Sequence, residues 1–242
     1  MPDLQIPHQN ETLLTYVAQP STTGPWPGVV VIHDAVGMST DVRNQCDWLA
    51  SEGYLAAAPD LFAGKTFFSC VFKVIREIKN KRGSLFDKVE TVRQHLLHDP
   101  QSNGKAGVIG FCFGGGFAFV LSTGFGFDTA SINYGGTLPK DAETVLESAC
   151  PIVASYGALD RGSRGAAEHL ERILTEYGID HDVKEYADTD HAFMNDHDLA
   201  EVPWFIKFIG YAFGGGAYHP ESTLDARKRI VAFFDKHLQG GS

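Results

Sequence analysis

Lys105-Ala106-Gly107-Val108-Ile109-Gly110-Phe111-Cys112-Phe113-Gly114-Gly115-Gly116-Phe117-Ala118-Phe119-Val120-Leu121 decides how the rest of the chain is assembled. Residues 105–109 read as a short buried strand, and the Pro-free apolar run from Phe117 to Leu121 opens a helix. Between them lies Gly-x-Cys-x-Gly. A strand, such a turn and a helix make a nucleophile elbow, here with cysteine where serine is commoner. The glycines have a steric reason, since side chains two positions either side of a strained nucleophile would collide with the adjoining elements. The helix N-terminus directs free N–H groups and a positive dipole end at the sulfur, which favours a thiolate. Taken alone, the same residues also suit a buried structural cysteine in a glycine-rich turn.

Working outward, Leu13 to Ala18 and the continuous β-branched run Gly28 to His33 predict strands, the second buried on both faces of a parallel sheet. Ser39 or Thr40 caps a helix with Val42, Cys46 and Leu49 inward, closed by Gly53. Tyr54 to Ala58 is a further strand. From Phe67 to His98 the pattern is helical with a break near Gly83-Ser84, and Asn103-Gly104 turns the chain into the elbow strand. Ser131 to Tyr134, Ile152 to Tyr156 and Asp182 to Tyr186 predict strands, Glu168 to Tyr177 a helix, and Leu224 to Leu238 a closing amphipathic helix. Strands alternating with helices imply an α/β class with a mostly parallel sheet covered on both faces, in one domain spanning 1–242.

Composition sets the outer bounds. The 242 residues suit one α/β domain, and a net charge of −10 disfavours nucleic acid or an anionic membrane as partner. The N-terminus has no secretory pattern, and no apolar run is long enough to span a bilayer. Cys46, Cys70, Cys112 and Cys150 are scattered, which points to free thiols and a cytoplasmic location. No His-Glu-x-x-His, dinucleotide fingerprint or phosphate loop occurs, so neither a metal nor another cofactor is expected, and Asp196-His197-Asp198 reads as an exposed loop.

Two later residues give the elbow its meaning. Asp160 follows the strand ending at Tyr156, and His191 follows the next strand, in hydrolase order after Cys112 with separations of 48 and 31 residues. Open α/β sheets gather such loops at the carboxyl edge. Asp188 and Asp190 are rival acids, but both adjoin His191 in sequence and cannot easily reach behind its ring. His33-Asp34-Ala35-Val36-Gly37 ends the second strand, which makes the Ala35 and Phe113 N–H groups the expected oxyanion donors.

Val31-Ile32-His33-Asp34, Ser102-Asn103-Gly104-Lys105, the elbow, the Asp160 turn and Asp190-His191-Ala192-Phe193 together resemble the dienelactone hydrolase family. The resemblance implies an α/β-hydrolase fold and a Cys112-His191-Asp160 triad acting on a small-molecule ester or lactone. Asp34 either hydrogen-bonds the resting thiol or caps its own turn; the resemblance favours the first, with an acid one methylene shorter than the family's usual Glu. Asn195 stands where characterised members place a substrate-binding Arg, with Arg76 and Arg82 as alternative cations. A neutral substrate is therefore expected over a carboxylated one.

The segment 195–220 admits two readings: a lid or pocket wall carrying Trp204, or a core or dimer-contact helix followed by a loop. The leading functional reading is a thiol-dependent hydrolase. Its rival is a non-catalytic ligand-binding or redox-sensing protein on the same fold. Neither reading fixes an oligomeric state.

Overall fold

The computed structural model describes residues 3–62, 67–204, 206–207 and 217–239, without the side chains of 67–72. The run around Val29 to Ile32 explains the layering. Val29 and Val31 pack into one apolar cluster and Val30 and Ile32 into the other, all essentially inaccessible to solvent. A strand with two buried faces needs apolar residues at every position, which is why this one shows no alternation.

That strand is β3 (Trp26–Ile32), near the middle of an eight-stranded sheet. The others are β1 (Leu4–His8), β2 (Glu11–Ala18), β4 (Leu55–Pro59), β5 (Ser102–Phe111), β6 (Thr129–Asn133), β7 (Ile152–Gly157) and β8 (His181–Tyr186). Their order is β1-β2-β4-β3-β5-β6-β7-β8. The pairs β1/β2 and β2/β4 are antiparallel, and every other neighbouring pair is parallel.

Helices α1 (Thr40–Ser51) and α7 (Pro220–Phe234) cover one face through Val42, Cys46, Leu49, Ile230 and Phe234. Helix α7 runs on as a π-helical turn over Asp235–Gln239. Helices α2 (Phe67–Asn80), α3 (Ser84–Leu97), α4 (Phe113–Leu121), α5 (Ala142–Leu146) and α6 (Ala166–Glu176) contribute to the cluster on the other face. Ser39 caps α1 by accepting from the Val42 N–H at 3.5 Å, as its position before an apolar-periodic run predicts.

Two local expectations change. Asn103-Gly104 lies within β5 rather than ahead of it, with Gly104 at φ 82° and a register shift against β3 between Trp26 and Gly28. The glycine accommodates an irregularity in the strand, not its start. Strand β1 was not anticipated; its Pro7 is tolerated because only β2 pairs with it, at the sheet's edge. Of the 195–220 segment, residues 195–201 are bonded to the start of α1, whereas 205 and 208–216, on which the lid reading depends, lie outside the described residues.

Candidate active site

The parallel strands end together, and the elbow forms where β5 gives way to α4. Cys112 caps that helix with φ 55° and ψ −116°, a backbone conformation costly for a residue with a side chain. Its N–H donates to Asn133 O at 3.1 Å, and its carbonyl accepts the Gly116 N–H at 3.2 Å. A Cβ on Gly110 would overlap the carbonyl of Gly114, so the turn closes this tightly only with glycine there.

Asp160 reaches the site on the loop after β7. It is buried, and its Oδ1 accepts the Gly162 N–H at 2.8 Å. Oδ2 accepts from Ser163 Oγ at 2.7 Å and from His191 Nδ1 at 2.8 Å. The His191 loop can lie across this one because Gly157 lacks a side chain: a Cβ there would stand 2.6 Å from Thr189 O. Burial alone would push the Asp160 carboxyl up, but the His191 hydrogen bond and charge, with Ser163 and Gly162, hold it below its usual range. Burial likewise opposes charge on His191, yet Cys112 and then Asp160 raise the imidazole to about 11. The same imidazole thus donates to Asp160 from Nδ1 and lies close enough to Cys112 for that group to be the largest influence raising its pKa. Of the rival acids, Asp188 is exposed, and Asp190 turns its Oδ1 to the His191 N–H at 2.7 Å rather than to the ring.

Phe113 is the first residue of α4, so its N–H has no acceptor within the helix. The Ala35 N–H has no hydrogen-bond partner among the described residues. Ala35 lies three residues past the carboxyl end of β3 and Phe113 two past that of β5.

Of the two readings of Asp34, the structure shows the turn cap rather than a hydrogen bond to the thiol. Its Oδ1 accepts the Val36 N–H at 2.9 Å, and its Oδ2 pairs with His197 Nε2 at 2.6 Å. Being one methylene shorter than Glu, it turns back on its own loop. Asn195 is also displaced from its expected role, since it is buried rather than facing substrate. Its Oδ1 accepts from Tyr134 Oη at 2.6 Å, and its Nδ2 donates to Asp41 Oδ2 at 2.6 Å. Burial raises the Asp41 carboxyl against the pull of Asn195, His197 and the Asp196 N–H. Arg76 and Arg82 are exposed, and no hydrogen bond or ion pair joins either to the site. Trp204 is largely exposed.

His197, read from sequence as part of an exposed loop, is mostly buried, with 14% of its side chain accessible. Burial opposes its charge, but Asp34, Asp41 and Glu201 raise its pKa. No local pattern announces this, because its partner Asp34 is 163 residues away. Among the described residues no group of three His, Cys, Asp or Glu side chains is arranged to hold a metal ion, and no helix is long and apolar enough to cross a membrane.

A mostly parallel sheet between helical layers, with a strained cysteine at a strand–helix turn and an acid–imidazole pair on neighbouring loops, defines the α/β-hydrolase class. The chain belongs to the dienelactone hydrolase family, whose model matches residues 13–238. A carboxymethylenebutenolidase of Pseudomonas putida is 31% identical over 145 residues, covering 56% of this chain and 61% of its own. A Yersinia pestis protein given that name provisionally is 26% identical over 251 residues, covering 96% of this chain and 86% of its own. Among solved structures, a dienelactone hydrolase-like promiscuous phosphotriesterase from metagenomic libraries superposes with a TM-score of 0.76 at 19% identity, covering 98% of this chain and 97% of its own. Esterase 2 of Thermogutta terrifontis gives 0.67 at 14% identity, with 99% and 95% covered. These two likenesses concern the fold. Membership of the family makes this protein a hydrolase.

Proposed function

We propose that the protein hydrolyses a small-molecule ester or lactone through Cys112, His191 and Asp160, by way of an acyl-thioester. The observation that carries this reading is the single imidazole shared by Asp160 and Cys112. His191 holds the thiol's proton, and the Cys112 sulfur adds to the substrate carbonyl. The resulting oxyanion rests on the Ala35 and Phe113 N–H groups, each donor of this kind supplying roughly 2.7–4 kcal/mol of transition-state stabilisation. As the intermediate collapses, the C–O bond breaks and the leaving alkoxide takes the proton from His191. The now neutral imidazole draws a proton from water, whose oxygen attacks the thioester. Collapse of the second intermediate expels the thiolate beside a reprotonated His191 and releases the acid. Asp160 keeps the Nδ1 proton in place throughout, so that Nε2 serves the reacting side.

The acyl and alcohol parts are proposed to be neutral. Asn195 is enclosed, His197 already faces Asp34, and apolar Leu159 stands exposed beside Asp160. A substrate carboxylate would have to shed water without a partner. The test is rapid release of nitrophenol from a p-nitrophenyl ester, with mass spectrometry of the Cys112 peptide for a bound acyl group. A burst and an acylated Cys112, both lost in Cys112→Ala, are expected; turnover surviving in that variant would remove the thiol mechanism.

A further inference from the structure

The turn after β3 is organised around one side chain. Asp34 O accepts from His33 Nδ1 at 2.8 Å and from the Gly37 N–H at 3.3 Å, and Asp34 Oδ1 accepts the Val36 N–H at 2.9 Å. His33 is itself oriented, because its Nε2 accepts the Leu61 N–H at 3.3 Å, leaving the proton on Nδ1. The Gly37 and Val36 amides thus turn inward upon Asp34, and the Ala35 N–H between Asp34 and Val36 is left over. What remains of Asp34 is Oδ2, buried with the rest of the side chain and met by His197 Nε2 at 2.6 Å.

His197 is held at that place from both sides. Ahead of it, Asn195 Nδ2 and the Asp196 N–H donate to the two oxygens of Asp41 at 2.6 and 2.8 Å. Beyond it, Glu201 accepts from Thr40 N and Thr40 Oγ1 at 2.8 and 2.6 Å. Residues 195–201 therefore form a strap over the β3–α1 loop, and the imidazole meets Asp34 without having to search for it. The charged groups around the ring are Asp34 from the turn, Asp41 from α1 and Glu201 from the strap itself, all acidic.

We propose that His197 is a positioning residue for the oxyanion site: by holding Asp34 Oδ2 it fixes the turn that presents the Ala35 N–H. This rests on the mechanism proposed above. Two consequences reach the reaction. The hydrogen bond keeps Asp34 folded under its own turn, so that the Ala35 donor is preset before an oxyanion forms. The His197 N–H also answers a carboxylate one residue from that donor, whose unanswered charge would repel the developing oxyanion. Neither effect concerns the ground-state carbonyl, so the loss belongs in kcat rather than KM.

The experiment compares wild type with His197→Ala and His197→Gln in two reactions of Cys112. Ester turnover develops an oxyanion. Alkylation by iodoacetamide forms a C–S bond as the C–I bond breaks, and develops none. In His197→Ala, kcat should fall about 10- to 100-fold, the range expected when a preset group is misplaced by around an ångström. KM and the alkylation rate should stay near wild type. His197→Gln, whose side-chain N–H can still reach Asp34, should recover part of the lost kcat, and thermal unfolding checks that both variants fold. Wild-type kcat in His197→Ala, or alkylation slowed in parallel with turnover, overturns the proposal. Cys112→Ala run alongside separates the two readings. Turnover surviving there overturns the thiol mechanism and this proposal with it; its loss there, with full kcat in His197→Ala, overturns this proposal alone.

Discussion

Asp160→Asn removes a charge from a carboxylate whose contacts dictate how the amide must sit. Oδ1 receives the Gly162 N–H at 2.8 Å, so the amide oxygen belongs there; the reverse orientation would set NH2 against N–H. The NH2 group then faces Ser163 Oγ and His191 Nδ1. Serine can turn its hydroxyl and accept, but His191 can accept only by giving up the Nδ1 proton. Its proton moves to Nε2, the nitrogen that the mechanism needs free for the thiol. The native hydrogen bond engages a charged group, worth about 1.5–3 kcal/mol. At 1.36 kcal/mol per tenfold in rate, its loss costs roughly 10- to 150-fold. In a serine triad the corresponding change costs ~10⁴, but a thiol yields its proton more readily than a hydroxyl. A fall in kcat/KM of about 10²-fold is therefore expected for p-nitrophenyl ester hydrolysis at neutral pH. Asp188→Asn and Asp190→Asn should do little, because Asp188 is exposed and an amide oxygen at 190 can still accept the His191 N–H. Near-wild-type turnover in Asp160→Asn, with a large loss in either of the others, would refute the assignment.

Brief iodoacetamide treatment should label Cys112 and spare Cys46 and Cys150, because burial raises both of those thiols, Cys150 to about 12; peptide mapping checks this, and preferential labelling of either would contradict it. His191 should remain an imidazolium through neutral pH, and its NMR titration should move down in Cys112→Ala, which removes the largest contribution raising it. Since its folded pKa lies above the ordinary 6.5, the stability from this pairing is complete below that pH and is lost as pH rises towards about 11, which thermal unfolding against pH can follow. Asn195→Leu strips Asp41 of a donor and Tyr134 of its acceptor; at about 1–3 kcal/mol for each unsatisfied group, urea unfolding should register a clear loss of stability. A neutral lactone should show higher kcat/KM than its carboxylated counterpart in a paired assay, and the opposite preference would disprove the neutral-substrate reading.

The parts legible in the sequence were those written locally. Val29 to Ile32 announced a strand with two buried faces, and the glycines around Cys112 announced a turn too crowded for side chains. Asp160 and His191 followed because a parallel sheet delivers successive loops to one edge. What escaped depends on contacts between distant segments. Asn195 was weighed as a substrate contact, but its partners Tyr134 and Asp41 lie 61 and 154 residues away. His197 looked like one more loop histidine because nothing near it names Asp34. Strand β1 escaped for another reason: an edge strand needs only one covered face, and Ile6 and His8 are its only buried residues.

The strap over the β3–α1 loop has a bearing on recombination within the family. Asp34, Thr40 and Asp41 are encoded early, and Asn195, His197 and Glu201 late, yet each bond described between them requires both halves. A chimera with a relative that crosses over anywhere from residue 42 to residue 190 takes the two halves from different parents. It inherits the buried carboxylate of Asp41 without assurance of the amide that answers it, or the amide without the carboxylate. A crossover placed after residue 201 keeps the pairs intact. In a library of hybrids, survivors should therefore be concentrated among those that move residues 34–41 and 191–201 together, as though the two distant segments were one inherited unit.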